Sequence, residues 1–304
     1  MQVNWKGVYP AITTKFHQDG SIDFETFGKN ITKQVESGIH GIVIGGSLGE
    51  ASTLDEDEKF ELVNFALDTI GDKIPVVVNI AESTTHAAIH NAQRAENEGA
   101  DGLMILPPMQ YKAGDRETVA FFKAVASSTA LPMMLYNNPV DYGTEITLDM
   151  LDQLTEHENI QAVKESTRDL TNVTRMRNRF GDRYNILCGV DTLALDSLLM
   201  GADGWVAGLV CAFPEETVAI YNLVQNNRYN EAREIFRWFL PLLELDTNPK
   251  LVQNIKLAEV ATGIGTEHVR PPRLPLAGEE RERVQSIIDE SLASRPELPV
   301  DGND

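Results

Sequence analysis

Short apolar runs alternate with amphipathic segments along most of the chain. Each run holds six or seven residues rich in Val, Ile, Leu and Met, which is typical of a strand buried on both faces. Successive runs begin 20 to 34 residues apart, which leaves room for a strand, a helix and two short loops. We therefore predict eight strands, at residues 7–13, 41–46, 75–80, 102–107, 132–137, 160–165, 184–189 and 204–209.

The segments between the runs have the spacing of helices. Residues 24–38 (FETFGKNITKQVESG) and 85–100 (THAAIHNAQRAENEGA) carry apolar residues at helical intervals and close on a glycine or next to one. Repeated strand–helix units with apolar strands favour a closed parallel (β/α)8 barrel, the TIM barrel. An open doubly wound sheet has the same alternation, so periodicity alone leaves both topologies open.

Beyond residue 213 the alternation gives way to helical patterns alone. Residues 215–227, 229–246 and 249–263 each have the apolar spacing of a helix. We therefore divide the chain into a catalytic barrel at residues 1–213, a C-terminal helical extension at residues 214–293 and a frayed tail at residues 294–304.

Composition narrows the class of partner. The chain has 26 Lys and Arg against 46 Asp and Glu, a net charge of −20, which argues against nucleic acid or an anionic membrane as partner. No apolar run approaches 18 residues and no export signal precedes the first strand, so we expect neither a membrane span nor secretion. Cys188 and Cys211 lie in apolar stretches without metal-ligand spacing, as expected for reduced thiols in a cytoplasmic protein.

Polar residues follow several predicted strands at the point where each strand ends. In a parallel barrel the chemistry gathers at the carboxyl ends of the strands. Ser47 follows the second strand, Tyr136 ends the fifth, Lys164 lies in the sixth and Asp191 follows the seventh. We expect these side chains to meet at one mouth of the barrel.

Lys164 is unusual because it lies in an apolar strand. Alternation puts it on the same face as Ile160 and Ala162. If that face points into the barrel, desolvation lowers the lysine pKa from its ordinary value of about 10.4 and favours the neutral amine that attacks a carbonyl carbon. Alternatively, Lys164 reaches solvent or pairs with Glu165. The sequence alone leaves both interpretations open.

Ser47 and Tyr136 also have two interpretations each. The run GGSLG at residues 45–49 fits the G-x-S-x-G elbow of a serine hydrolase, and chain order would allow a triad of Ser47, Asp191 and His268. The same run could form a turn whose backbone N–H groups hold an anion at a helix N-terminus. Tyr136 is either a core tyrosine bonded to the backbone or a proton shuttle beside Lys164.

Three motifs together resemble the dihydrodipicolinate synthase/N-acetylneuraminate lyase family. They are GSLGE at residues 46–50, YNNP at residues 136–139 and VKES at residues 163–166, in the family's order and spacing. The likeness covers nearly the whole chain, from GVYPAITTKF to NPKLVQNIKLA. It implies a (β/α)8 enzyme that forms a Schiff base between a barrel lysine and a 2-oxo acid, with no metal or organic cofactor.

The resemblance also implies catalytic roles. Lys164 would be the Schiff-base nucleophile, Tyr136 would relay protons to and from the substrate, and Ser47 would help to position that tyrosine. On this interpretation the serine assists and the lysine attacks.

Substrate-binding positions are implied in the same way. The backbone N–H groups of Ser47 and Leu48 would hold the substrate carboxylate. Gly189 and the carbonyl group of Val206 would line the floor of the pocket.

Departures from the family pattern bear on the substrate. The arginine with which the synthase branch holds a second carboxylate is Asp141 here, and the tyrosine that the synthase lends across a subunit interface falls at Gln110, with Tyr111 next to it. Asp191 matches an aspartate that sialate lyases use on substrate hydroxyls, although their following glutamate is Thr192 here. We therefore favour a hydroxylated substrate over dihydrodipicolinate synthesis.

Several functions remain in competition. The sequence most resembles family members that dehydrate and deaminate pyrroline-4-hydroxy-2-carboxylate in hydroxyproline degradation. Two alternative functions within the family are an aldolase for sialate or keto-deoxy sugar acids and dihydrodipicolinate synthase. Outside this class stand the serine hydrolase and a non-catalytic metabolite-binding member, the latter disfavoured because Lys164 and Tyr136 are both present. The resemblance further implies a homotetramer built as a dimer of dimers, with Tyr111 reaching across an interface.

Overall fold

Eight parallel strands form a single sheet in the computed structural model, which describes residues 1–299. Each strand lies inside one of the eight predicted runs. The strands are β1 Gly7–Pro10, β2 Ile42–Ile44, β3 Val76–Ile80, β4 Gly102–Ile105, β5 Met133–Asn137, β6 Ile160–Glu165, β7 Asn185–Cys188 and β8 Gly204–Ala207.

The sheet closes into a barrel. Its hydrogen-bonded order runs from β1 through β8, β7 and the rest in turn to β2. A parallel bridge joins Ala11 to Val43, the His40 N–H donates to the Val8 carbonyl at 2.9 Å, and the Ile12 N–H donates to the Val43 carbonyl at 3.0 Å. These contacts connect β1 to β2, so the (β/α)8 barrel is confirmed over the open sheet.

Helices follow the strands and cover the outside of the barrel. Those after β1 to β7 are α1 Phe24–Glu36, α2 Glu56–Ile70, α3 Thr85–Asn97, α4 Asp115–Ala126, α5 Pro139–Tyr142, α6 Leu148–Leu154, α7 Thr171–Phe180 and α8 Ala194–Leu199. Those after β8 are α9 Pro214–Gln225, α10 Tyr229–Leu243, α11 Leu251–Ala261 and α12 Gly278–Ala293.

Burial follows from this architecture. Every residue of β2, β3, β4 and β8 is buried, because helices cover one face of the sheet and side chains from the other strands fill the interior. Buried polar side chains in the strands include Asn137, Lys164 and Glu165, which lie at the carboxyl ends of β5 and β6. Desolvating such groups is costly unless they are paired or functional, which directs attention to this end of the barrel.

The loop between β2 and α2 is fixed at its far end by a capping box. The Asp55 carboxylate accepts from the Glu58 N–H at 2.8 Å, and the Glu58 carboxylate accepts from the Asp55 N–H at 3.1 Å. Three acidic residues in the first turn of α2 also interact favourably with the helix dipole. The acidic sequence after residue 54 therefore begins a helix and holds the loop that carries Ser47.

The C-terminal region contains one helix more than the three predicted. Helix α12 packs against α10 and α11, with Val284 and Ile288 buried, and the Trp238 indole N–H donates to the Ser291 carbonyl at 2.9 Å. Few of its residues are apolar, so the helical period is weak in the sequence. No helix within residues 1–299 is long and apolar enough to cross a membrane.

The division of the chain at residue 213 stays a prediction. So does fraying of the predicted tail at residues 294–304, of which residues 300–304 lie outside the described residues.

Candidate active site

A cavity opens at the carboxyl ends of the barrel strands. Seven strands or the loops that follow them contribute to its walls, and the segment between α10 and α11 contributes the rest. Six of the residues predicted to form the site line it together: Ser47, Leu48, Tyr136, Lys164, Gly189 and Val206. The predicted substrate contacts Asp191 and Tyr111 are not among its lining residues.

Lys164 enters this cavity from β6. Its side chain is buried, and its Nζ lies 3.9 Å from the centre of the Tyr136 ring. Within residues 1–299 it forms no ion pair. The carboxylate of Glu165 instead accepts hydrogen bonds from the Thr167 N–H at 2.7 Å and from the Asn172 amide at 2.8 Å. The alternatives of a solvated lysine and a Lys164–Glu165 pair are therefore wrong.

Burial lowers the pKa of Lys164 below the ordinary value of 10.5, because the ammonium form loses its hydration. Nearby Tyr142, Asp246 and Asp191 favour the charged form and limit this decrease. The net direction is downward, so a larger fraction of this lysine is neutral at a given pH than for a lysine in water. A neutral amine is the form that attacks carbonyl carbon.

Gly189, directly after β7, makes room for the lysine. A Cβ at this position would lie 2.6 Å from Lys164 Cε and 2.1 Å from Ser166 Oγ, both far inside normal contact distance. The path of the Lys164 side chain from β6 into the cavity therefore requires a glycine on the neighbouring strand's loop.

Tyr136 lies opposite Lys164 in the register of β5 and β6. Its hydroxyl accepts a hydrogen bond from the Asn138 amide at 3.1 Å. Burial raises the pKa of Tyr136 to about 12, while the hydrogen bond from Asn138 acts in the opposite direction. The phenol is therefore protonated at neutral pH, as a proton donor beside the amine must be.

Ser47 contacts a tyrosine that the sequence analysis did not single out. Its Oγ and the hydroxyl of Tyr142 are 2.5 Å apart and share a hydrogen bond. The Tyr142 ring meets the Tyr136 ring edge to face, with centroids 5.6 Å apart and planes at 74°. Tyr142 thus connects Ser47 to Tyr136, and the role of Ser47 in positioning Tyr136 stays a prediction. Pro139 at the start of the short helix that carries Tyr142, and Gly143 directly after it, are the sequence signals for this helix.

The loop that carries Ser47 and Leu48 is anchored to the C-terminal helices. Glu50 is in the left-handed region with φ of 57° and is fully buried. Its carboxylate accepts from the ammonium group of Lys256 on α11, which is also fully buried and donates to the His268 carbonyl at 2.6 Å. This buried pair holds the backbone of the loop in one conformation, as an anion-binding turn requires.

The serine hydrolase triad is not formed. The hydroxyl of Ser47 bonds to Tyr142, and the carboxylate of Asp191 bonds to Trp205 and to backbone N–H groups. Within the described residues neither group has a hydrogen bond to His268. A nucleophilic serine requires that contact.

The cavity has a lysine amine, a protonated phenol and a loop of backbone donors at one mouth of a (β/α)8 barrel. A sequence profile described as the Dihydrodipicolinate synthetase family matches residues 4–291. The chain belongs to the dihydrodipicolinate synthetase family. It is therefore an enzyme, a lyase of the Schiff-base class I aldolase type, and a lysine Schiff base is the general mechanism of this family.

Relatives span the chain at nearly full length. The 4-hydroxy-tetrahydrodipicolinate synthase of Exiguobacterium sibiricum is 32% identical over 275 residues, 90% of this chain and 92% of that protein. The protein of the same name from Haloarcula marismortui is 30% identical over 290 residues, 94% of each. The solved structure of the 4-hydroxy-tetrahydrodipicolinate synthase from Methylacidiphilum fumariolicum SolV superposes with a TM-score of 0.89 at 30% identity, covering 95% of this chain and 97% of that one.

Asp191 is not a cavity residue in this member of the dihydrodipicolinate synthetase family. Its side chain is buried, and its carboxylate accepts from the Trp205 indole N–H at 2.9 Å, the Leu209 N–H at 2.8 Å and the Gly208 N–H at 3.1 Å. These bonds tie the loop after β7 to the loop after β8. The expectation that Asp191 contacts substrate hydroxyls is corrected, since its lone pairs are committed to the protein.

Asp246 is the carboxyl group that does line the cavity, and sequence reasoning missed it. It lies between α10 and α11, and a Cβ on Gly208 would be 2.2 Å from its Oδ1. Burial raises its pKa well above 3.8, and the negative charge of Asp191 acts in the same direction. The group therefore retains its proton to higher pH than an ordinary aspartate and can donate a hydrogen bond or a proton.

The remaining predicted contact, Tyr111, lies outside the cavity of the single chain. Its side chain is 53% exposed, and the preceding Gln110 has a left-handed φ of 74°. Its contribution to an interface stays a prediction.

Proposed function

We propose that Lys164 forms a Schiff base with a hydroxylated 2-oxo acid or cyclic imine carboxylate, and that the enzyme then removes the hydroxyl group as water. Pyrroline-4-hydroxy-2-carboxylate, which would be dehydrated and deaminated, is the first candidate substrate. The observation that carries the proposal is the environment of Lys164. This amine is buried and forms no ion pair with the residues that the structure describes, its pKa is lowered, and a protonated phenol lies beside it in an open cavity.

Covalent attachment would begin with the neutral amine of Lys164. It adds to the imine carbon of the ring, the bond between that carbon and the ring nitrogen breaks, and the departing nitrogen takes a proton from Tyr136. The product is an open chain held to the lysine as an iminium ion. The substrate carboxylate would accept from the backbone N–H groups of Ser47 and Leu48, in the loop that Glu50 and Lys256 hold in place.

Loss of water would follow from the iminium ion. The positive nitrogen withdraws electrons, so the adjacent carbon loses a proton to the tyrosinate of Tyr136 and an enamine forms. The enamine electrons then expel the hydroxyl group from the next carbon, and a proton converts that group into water. Asp246 suits this donation, since it lines the cavity and burial raises its pKa, which favours the protonated carboxyl group.

The same side chains bear on the competing functions. Asp141 lines the cavity where the synthase branch has the arginine for a second carboxylate, and a carboxylate there repels a dianionic intermediate. The name 4-hydroxy-tetrahydrodipicolinate synthase belongs to the relatives, and this feature argues against transferring it. An aldolase for sialate or keto-deoxy sugar acids would use the same Schiff base and cleave a carbon–carbon bond instead.

The family resemblance is also the basis for proposing the setting of the enzyme. We propose a cytoplasmic homotetramer built as a dimer of dimers, with a small-molecule acid or imine as its ligand. Tyr111, which is exposed in the single chain, would lie near an interface.

A substrate panel tests the proposal. The purified protein is incubated with pyrroline-4-hydroxy-2-carboxylate, pyruvate, sialate or a keto-deoxy sugar acid, with and without borohydride, and adducts are located by peptide mass. We expect a reduced adduct on Lys164 and turnover of the hydroxylated pyrroline, with Asp246→Asn slowing turnover more than adduct formation. Turnover of a sugar acid alone would favour the aldolase. Absence of any Lys164 adduct would refute the proposal.

A further inference from the structure

Three hydroxyl-bearing side chains of one chain, Ser47, Tyr142 and Tyr136, contact one another in a row along the cavity wall. Ser47 is at the exposed end, where its Oγ shares the 2.5 Å hydrogen bond with Tyr142. Tyr142 in turn packs edge to face on Tyr136, and both tyrosines line the cavity with Lys164. The row therefore runs from the solvent side of the cavity to the buried amine.

Helix α5 holds Tyr142 in this position. The Asn138 side-chain oxygen accepts from the Asp141 N–H at 3.2 Å, and Pro139 begins the single turn. Gly143, with φ of 75°, ends it and donates its N–H to the Pro139 carbonyl at 3.0 Å. The same Asn138 amide donates to the Tyr136 hydroxyl, so one side chain orients both the turn and the other tyrosine.

The chemical state of Tyr142 suits proton transfer. Burial raises its pKa to about 12, so the phenol is protonated at neutral pH, and the hydrogen bond with Ser47 acts in the opposite direction. Tyr142 lines the same cavity as Lys164, and its ring packs on the Tyr136 ring, whose centre lies 3.9 Å from Lys164 Nζ. By contrast, Tyr111 is largely exposed and outside the cavity of the chain.

We propose that Tyr142 is a catalytic residue that passes protons between Ser47 and the substrate on Lys164, completing the relay within one chain. The inference rests on the proposed Schiff-base function. The lysine amine adds to the carbonyl carbon of a 2-oxo acid, and the former carbonyl oxygen takes one proton from the added nitrogen. The nitrogen lone pair then forms the iminium bond as the carbon–oxygen bond breaks, and the oxygen leaves as water with a second proton from Tyr142. Tyr142 regains a proton from the Ser47 hydroxyl, and Ser47 regains one from water at the mouth. No tyrosine from a neighbouring subunit is required.

Exchange of the methyl protons of pyruvate in D2O tests this relay, because exchange requires imine formation and proton removal but not the native substrate. The variants are Tyr142→Phe, which retains the ring, Ser47→Ala and their double mutant. Tyr111→Phe tests a route across an interface, and Tyr229→Phe, an exposed tyrosine that does not line the cavity, is the matched control. Thermal melts check that each variant folds, and borohydride trapping of pyruvate checks the adduct.

We expect Tyr142→Phe to slow exchange on the order of 100-fold, the lower range for loss of a general acid–base group, while the adduct on Lys164 still accumulates on long incubation. Tyr229→Phe should exchange at the wild-type rate, and Tyr111→Phe should lose less than Tyr142→Phe. Because Ser47 and Tyr142 act in series, the double mutant should be no slower than Tyr142→Phe alone.

Two results would overturn the relay alone. The first is a wild-type exchange rate in Tyr142→Phe while the adduct on Lys164 still forms. The second is a loss of exchange rate in Tyr111→Phe equal to that in Tyr142→Phe, which would mean that the relay crosses an interface. Absence of the adduct in the wild-type protein would instead refute the proposed function, and the relay with it.

Discussion

Replacing Gly189 by alanine tests whether the Lys164 side chain lies where the structure places it, because Gly189 directly follows the neighbouring strand β7 and faces that side chain. The added Cβ would lie 2.6 Å from Lys164 Cε, 2.7 Å from Lys164 Cγ and 2.1 Å from Ser166 Oγ. Non-bonded carbon atoms prefer separations of about 3.5–4.0 Å, so the lysine and the new methyl group must move apart by about 1 Å. Since β6 and β7 are paired through the barrel, the lysine side chain is the part that can move.

The expected loss of activity follows from that displacement. A misplacement of about 1 Å at a reacting group costs on the order of 100-fold in rate, which corresponds to about 2.7 kcal/mol of activation free energy. Overpacking should also lower the free energy of unfolding by about 1–3 kcal/mol. The variant should therefore fold and still trap pyruvate on Lys164 about 100-fold more slowly than the wild type.

The assay is the initial rate of borohydride-trapped adduct, measured by intact mass, beside urea unfolding followed by circular dichroism. Gly114→Ala is the matched control. Its Cβ would meet only Glu117 Oε2 at 3.7 Å, an ordinary contact, so its trapping rate should be unchanged. If Gly189→Ala trapped pyruvate at the wild-type rate, Lys164 could not follow the path described between β6 and β7.

Two further predictions concern charge. Because the pKa of Lys164 is lowered, the rate of adduct formation should rise with pH as the amine loses its proton and should level off below pH 10.5. The rate should fall again as Tyr136 ionises near pH 12. A rate that levels off only at pH 10.5 would contradict a desolvated lysine. Lys256→Met leaves the Glu50 carboxylate buried without its ammonium partner, so urea unfolding should show a loss of about 3–5 kcal/mol, and adding Glu50→Gln should restore part of it. An unchanged unfolding free energy would mean that this pair does not hold the loop.

The eight parallel strands could be predicted from the sequence because they are buried on both faces and form continuous apolar runs. Closure could not, since it depends on contacts of Ala11 and Ile12 with Val43, which belong to no periodic pattern. Helix α12 was missed because little of its surface is apolar and only a few positions, such as Val284 and Ile288, are buried against α10 and α11.

Site residues could be predicted from the sequence where they lie at the carboxyl end of a barrel strand. They could not be predicted where a segment distant in sequence completes the wall of the cavity. Lys164 and Tyr136 extend directly from β6 and β5 into the cavity. Asp246 comes from a segment after α10 that returns to the barrel mouth, which no local pattern indicates. The partners of Asp191 could not be predicted either. Its carboxylate accepts hydrogen bonds from Trp205 and from backbone N–H groups after β8, and only the folded structure brings these groups to it.

The position of Tyr142 could be predicted from the sequence only in part. The residues around it predict a tight turn, because Pro139 favours the start of a helix and Gly143 its end. That the turn brings the hydroxyl of Tyr142 to Ser47 depends on the distance between the loops after β2 and β5, which the sequence does not contain.

The central claim is that the buried amine of Lys164 forms the covalent bond to the substrate. The most direct measurement is borohydride reduction of the protein with pyruvate, followed by peptide mapping of the adduct, for the wild type and for Lys164→Ala. The account predicts one adduct on Lys164 in the wild type and none in the variant, although the variant retains every other lysine of the chain. An adduct on another lysine, or full turnover by Lys164→Ala, would contradict it.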